Sequence, residues 1–247
     1  MGPDARLRDL YQQGCLKVVF PGRGAEAVLV NTAGGLTGGD RVEVTAEAAP
    51  GARLTLSTQA AERGYRASAE TPAEATVRLS AGAGARLHWL PQETILYDGA
   101  RLRRRIEADL APDATFLAVE AVIFGRTAMG ERFRSGLFAD DWRIRRGGRL
   151  VWADAMRLGP DPGAQLDHPW TTGGAGAVVT LFCAGPSTEA AVAALRTHLP
   201  APWGVSLLDP DAAVARGVAE DGHALRARLV PALEAVLRGP LPKVWRL

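Results

Sequence analysis

The sequence is poor in the residues and spacings that announce a chemistry. It holds only 2 cysteines in 247 residues. Cys15 and Cys183 lie far apart and outside any CxxC pair, which excludes a disulfide framework and a paired thiolate centre, and fits a reducing compartment. The 4 histidines, His88, His168, His198 and His223, stand alone. None shows the HxH, HxxxH or HExxH spacing that brings two imidazoles onto one metal, so each is expected at the surface or in packing. Aromatic residues make up 6%, and 29 Lys+Arg against 27 Asp+Glu leave a net charge of +2. That balance lacks the basic excess of a nucleic-acid binder. No apolar run approaches the roughly 18 residues of a membrane span, since even Phe116 to Phe124 is interrupted by Glu120. The first residues lack the apolar core of a secretory leader, and Pro3 with Asp4 makes a poor acylation start despite Gly2. The expectation is a cytoplasmic protein that engages neither nucleic acid nor membrane.

Turns, by contrast, are abundant, with 28 Gly and 16 Pro in a chain that is 47% hydrophobic. That content is too apolar for disorder and too aperiodic for collagen. From Arg53 to about Leu158 apolar and polar residues alternate, as in Leu54-Thr55-Leu56-Ser57, Leu87-His88-Trp89-Leu90 and Trp142-Arg143-Ile144-Arg145. This is the period of strands with one buried face. Pro50-Gly51-Ala52, Gly82-Ala83-Gly84-Ala85 and Pro112-Asp113-Ala114 punctuate them. The turns open a repeat: the eight residues from Ala52 align with those from Ala85, 33 positions on, and less closely with those from Ala114 after 29 more. Such a period predicts stacked β layers, each unit covering the apolar face of the next.

The C-terminal third differs. Thr188 to Leu199 reads as an amphipathic helix with Ser187 as N-cap and Pro200 as its stop, and Glu220 to Arg238 as a second helix that Pro231 should kink or restart. Trp203 to Leu208 looks like a strand, and Asp161 to Gly176 like a loop. The fold expected is one unit over residues 1–247, mainly β and β-helix-like, with a β body at about 15–160 and a mixed strand and helix part at about 177–247.

Residues 31–40, Asn-Thr-Ala-Gly-Gly-Leu-Thr-Gly-Gly-Asp, are Gly-rich without the Lys-Ser/Thr of a P-loop, and an alternating strand pattern follows instead of a helix. Gly34, Gly35, Gly38 and Gly39 therefore imply close backbone approach or positive φ, with Asp40 set at a strand entrance. Gly-x-Ser-x-Gly is missing, and no Ser or Cys has a histidine at informative spacing. More telling are the acids in apolar surroundings: Glu93 after Gln92, Glu120, Glu131 and Asp154. Each needs an arginine partner, water or a cation to offset desolvation; Arg63, Arg101, Arg103, Arg104, Arg105, Arg126 and Arg132 lie near in sequence. The run Arg101 to Arg105 reads as the solvated face of a strand.

Taken in order, four segments resemble one family, the urease accessory protein UreD (UreH in some organisms). They are Thr32 to Asp40, Leu87 to Ala100, Phe124 to Glu131 with Arg126 inside it, and the ending Pro242-Lys243-Val244-Trp245-Arg246. The resemblance spans the chain. It implies a non-enzymatic maturation factor that binds apo-urease, joins UreF and the GTPase UreG, and helps deliver Ni²⁺, with a homodimeric arrangement in the accessory complex. It also implies no tightly bound cofactor, only transient Ni²⁺ in an internal polar tunnel, with Asp40, Glu120 and Asp154 as its acidic positions. Lone carboxylates hold a borderline cation weakly, which suits a conduit better than a store. Two other readings stay open: a scaffold that never touches nickel, and a β-helical carbohydrate-active enzyme with a carboxylate pair in an aromatic cleft. Trp245 either packs back on the core or faces a partner.

Overall fold

A computed structural model describes residues 6–22 and 25–246; the N-terminal residues behind the leader and acylation readings lie outside that range. The chain winds between two sheets. Sheet A receives β1 (Leu16–Val19), β2 (Glu26–Asn31), β4 (Arg53–Thr58), β5 (Glu62–Gly64), β7 (Arg86–Leu90), β8 (Thr94–Leu96) and β10 (Thr115–Phe124). Sheet B receives β3 (Arg41–Ala48), β6 (Ala73–Ala81), β9 (Arg101–Leu110), β11 (Leu137–Arg146) and β12 (Arg149–Leu158). Successive coils pair in parallel: β2–β4–β7–β10 in one sheet and β3–β6–β9–β11 in the other. Sheet A then grows antiparallel through β13 (Ala177–Ala184), β15 (Ala212–Ala219) and β14 (Gly204–Asp209). The protein is mainly β with stacked, solenoid-like sheets, as the alternation and the repeat implied.

The repeat has a physical cause. Leu54 pairs with Leu87 and Leu87 with Phe116, so the sequence offsets of 33 and 29 are the offsets of the β ladders. Sheet B keeps the same steps, with Val44 beside Val77 and Val77 beside Ile106. Residues in parallel register share a face, so each apolar position of one coil lies on its counterpart in the next.

Helices cover the outer face of sheet A. α2 (Thr188–His198) and α3 (Gly222–Leu237) pack Val192, Leu195, Leu225, Leu229 and Leu233 on outward residues such as Leu90, Val119 and Leu181. Three expectations are met only in part. Pro231 does not restart α3, which runs through it as one element with Leu229, Ala232 and Leu233 buried while Pro231 itself is exposed. Ser187 holds the N-cap position of α2 but its side chain makes no cap bond; the Thr188 hydroxyl instead donates to the Gly185 carbonyl at 2.8 Å. The presumed loop at 161–176 contains α1 (Pro162–Asp167), started by Asp161, which accepts from the Ala164 amide at 3.0 Å, and by Pro162 in the first turn. Those are helix-start residues, masked in the sequence by the glycines around them. Among the described residues no helix is long and apolar enough to cross a membrane.

Candidate functional site: a polar layer between the sheets

The space between the sheets holds two apolar cores. One contains Leu87, Trp89, Ile106, Phe116, Trp142 and Phe182, and the other Leu96, Leu102, Phe124, Phe133 and Phe138. Between them lies a row of polar side chains. β9 carries Arg104 in phase with buried Leu102 and Ile106, so this arginine points inward while Arg103 and Arg105 point out. The solvated-face reading of Arg101 to Arg105 therefore fails at Arg104: alternation outranks the local density of charge.

Arg104 is the centre of the row. Its Nε and Nη2 donate to Asp140 Oδ1 and Oδ2 of β11 at 2.8 and 2.7 Å. Nη1 donates to Thr94 Oγ1 of β8 at 3.2 Å and to Glu120 Oε2 of β10. The remaining Glu120 oxygen accepts from Trp89 Nε1 at 2.8 Å, and Asp140 Oδ2 accepts from Trp142 Nε1 at 3.1 Å. Arg104, Glu120 and Asp140 are 6%, 4% and 6% exposed, so one guanidinium ties the two sheets together in a medium where an unpaired charge is costly. Two carboxylates face that single cation. Burial pushes the Glu120 carboxyl up to about 7; Arg104 opposes the rise and Asp140 adds to it. Glu120 thus exchanges its proton near neutrality.

The row continues on both sides. Glu62 of β5 is in register with Thr94 and shares its inward face; its carboxylate accepts from Asn31 Nδ2 at 3.0 and 3.1 Å, and burial raises its pKa. On the other side Glu120 pairs with Thr180, and Thr180 with Arg216. Arg216 forms an ion pair with Asp154 of β12, which lies opposite Trp142 and on the same face. The layer therefore runs from half-buried Asn31 and Glu62, through Arg104, Glu120 and Asp140, to half-buried Asp154.

The expected site residues divide accordingly. Glu120 and Asp154 belong to the layer. Asp40 does not: it is exposed at a corner, where its Oδ2 accepts from the Thr37 amide at 2.8 Å. The segments 32–40, 97–100 and 125–136 are all connections from sheet A to sheet B at that corner; Leu36 and Gly125 donate to Arg63 of β5 and Leu96 of β8, and Gly99 donates to the Ser135 carbonyl at 2.9 Å. Gly34 and Gly39 have positive φ. A Cβ at Gly35 would lie 2.6 Å from the Arg63 carbonyl oxygen, and one at Gly38 2.6 Å from that of Thr71. Arg126 binds Glu131 through two bonds at 2.6 and 3.0 Å, holding the Glu131 pKa low, and lies 4.3 Å from the Tyr97 ring centroid. Tyr97 meets Tyr65 edge-on at 5.2 Å, and the Tyr65 hydroxyl donates to the Gly34 carbonyl at 3.1 Å.

The family model that matches residues 2–246 is described as UreD urease accessory protein. The chain belongs to the UreD family. Proteins named urease accessory protein UreD resemble it closely: that of Rhizobium rhizogenes is 48% identical over 246 residues, covering 98% of this chain and 90% of the relative. The one from Sinorhizobium medicae is 48% identical over 255 residues, covering 100% and 92%, and the one from Ruegeria sp. 48% over 251 residues, covering 98% and 84%. These relatives are named as accessory proteins and not as enzymes.

Gln92 and Glu93 lie on the far side of sheet A. Arg226 of α3 donates to Gln92 Oε1 at 2.7 Å and to both Glu93 oxygens at 2.9 Å. Trp245 is 3% exposed and packs back on the core, which decides between its two readings. Sequence reasoning missed Arg104, Asp140 and Glu62 as site residues. The inward phase of β9 carried the signal for Arg104, hidden by the arginines beside it. Among the described residues no group of three or more His, Cys, Asp or Glu is arranged to hold a metal ion; three of the histidines are exposed, and His88 is half-buried, with Nδ1 3.4 Å from Thr55 Oγ1.

Proposed function

We propose that this UreD-family chain is a urease maturation factor that binds apo-urease together with UreF and UreG, in a paired accessory complex, and passes Ni²⁺ along the polar layer. The observation that carries the reading is the layer itself: a row of carboxylates, hydroxyls and an amide, crossing an otherwise apolar interior and reaching half-buried residues at both sides. Its oxygen donors are spread along the row instead of gathered into a cage, so an ion is handed on and not retained. Glu120 is the inner station, because its proton is exchangeable near neutral pH and a cation can take its place. Arg104 holds that position while the layer is empty, and its two hydrogen bonds to Asp140 keep it at hand. Asp154 stands toward one end. Asp40, exposed at the corner, belongs to the approach and not to the interior.

The test is urease activation in cells with limiting nickel, comparing the unaltered chain with Glu120→Ala and with Glu120→Ala/Asp154→Ala. The reading expects activation to fall with both and to recover partly when nickel is raised. Full activation by the double variant at limiting nickel would exclude a conduit role and leave a scaffold.

A further inference from the structure

Sheet A is interrupted at the level of the polar layer. β7 ends at Leu90 and β8 begins at Thr94, while β4 ends at Thr58 and β5 begins at Glu62. β10 runs through this level unbroken, continuous with β13 on its other side and pairing Ala118 with Trp89 and Val122 with Thr94, so Glu120 lies beside the gap occupied by Pro91, Gln92 and Glu93. On the helical side of that gap sits the last turn of the described chain, Lys243–Arg246. Trp245 Nε1 donates to the Leu90 carbonyl at 3.0 Å, Gln92 Nε2 donates to the Val244 carbonyl at 3.0 Å, and Arg226 Nη2 donates to the Trp245 carbonyl at 3.0 Å. The Arg226 guanidinium also lies 5.1 Å from the Trp245 ring centroid. Two of these bonds reach the edge of the break or a side chain within it, the third holds the turn to α3, and Gln92 and Glu93 are 5% and 4% exposed beneath them.

We propose that the turn at residues 243–246 is a releasable strap that closes a side opening of the polar layer. With the strap seated, Trp245 covers the break, and Arg226 neutralises Glu93. With it released, Gln92, Glu93 and the Leu90 carbonyl are exposed on the helical face directly behind Glu120, and the layer gains a third mouth. A single turn, joined to α3 through Gly239-Pro240-Leu241-Pro242, opens without unfolding the sheets, because local openings lie below global unfolding in free energy. The use of this mouth by nickel rests on the function proposed above; the opening itself does not.

The experiment reads hydrogen exchange of the indole N–H groups by NMR in the full-length chain. Trp89 donates to Glu120 beside the break, whereas Trp142 donates to Asp140 in sheet B, away from it. In Trp245→Ala the Trp89 indole is expected to exchange on the order of tenfold or more faster than in the unaltered chain, beyond any acceleration of Trp142. Equal acceleration of both indoles, tracking global stability measured in urea, would overturn the strap. Arg226→Lys retains the Trp245 side chain but loses the forked donors that hold the Trp245 carbonyl, Gln92 and Glu93 together, and so serves as a milder release; its Trp89 rate must rise in the same selective way. Because the exchange is measured without metal, its outcome is separate from urease activation, which tests the conduit.

Discussion

Replacing Glu120 by Gln should change how stability depends on pH more than it changes stability at any one pH. In the folded chain the Glu120 carboxyl titrates at about 7, against an ordinary value of 4.5. Its folded pKa is raised, so between those values the folded state holds a proton that the unfolded state has released. Stability from this group is then full below pH 4.5 and is lost as pH rises toward 7. The interval of about 2.5 units at about 1.4 kcal/mol each amounts to roughly 3 kcal/mol. Gln does not titrate, and its amide must face a donor, either Trp89 Nε1 or Arg104 Nη1, which adds a constant cost of about 1–3 kcal/mol. Urea unfolding from pH 4.5 to 8 measures both effects. The variant should be clearly weaker than the unaltered chain at pH 4.5, and the gap should narrow or reverse by pH 8. A difference independent of pH would refute the account of Glu120 as a buried acid that keeps its proton.

Other expectations follow from the same geometry. Arg104→Met strands two carboxylates and should cost about 3–5 kcal/mol at neutral pH, less in acid, again by urea titration. Gly35→Ala places a methyl group against the Tyr65 ring and the Arg63 carbonyl and should cost about 1–3 kcal/mol or more, read as a lower Tm. Pro231→Ala, at an exposed position inside α3, restores a missing helix donor and should stabilise the chain by up to about 3 kcal/mol, visible as a higher urea midpoint. Arg126→Ala removes a pair whose arginine is 41% exposed and should leave the thermal unfolding midpoint close to that of the unaltered chain, because solvent screens such a pair.

Much of the architecture was legible because it is periodic. Alternation marked the strands, and the repeat offsets between Leu54, Leu87 and Phe116 turned out to be ladder registers. A parallel coil imposes its length on its own sequence. The glycines at 34, 35, 38 and 39 were also readable, since only a tight corner needs so many. α1 was hidden because its Asp-Pro start lies in a stretch where Pro and Gly ordinarily mean a loop. Glu120 was legible as an acid in an apolar strand, but its partners were not: Arg104 and Asp140 are brought to it from the opposite sheet.

The sequence by itself determined the coil, its corners and the family, because these depend on local periodicity and on ordered motifs. It also determined that acids lie within apolar strands. Only the tertiary structure decided what those acids do. Asp40 and Glu120 were both expected in the polar interior, yet one caps a turn in water and the other shares a buried guanidinium between two sheets. Burial and partner choice depend on which coils face each other across the interior, and facing residues are separated along the chain by the length of the coil between them.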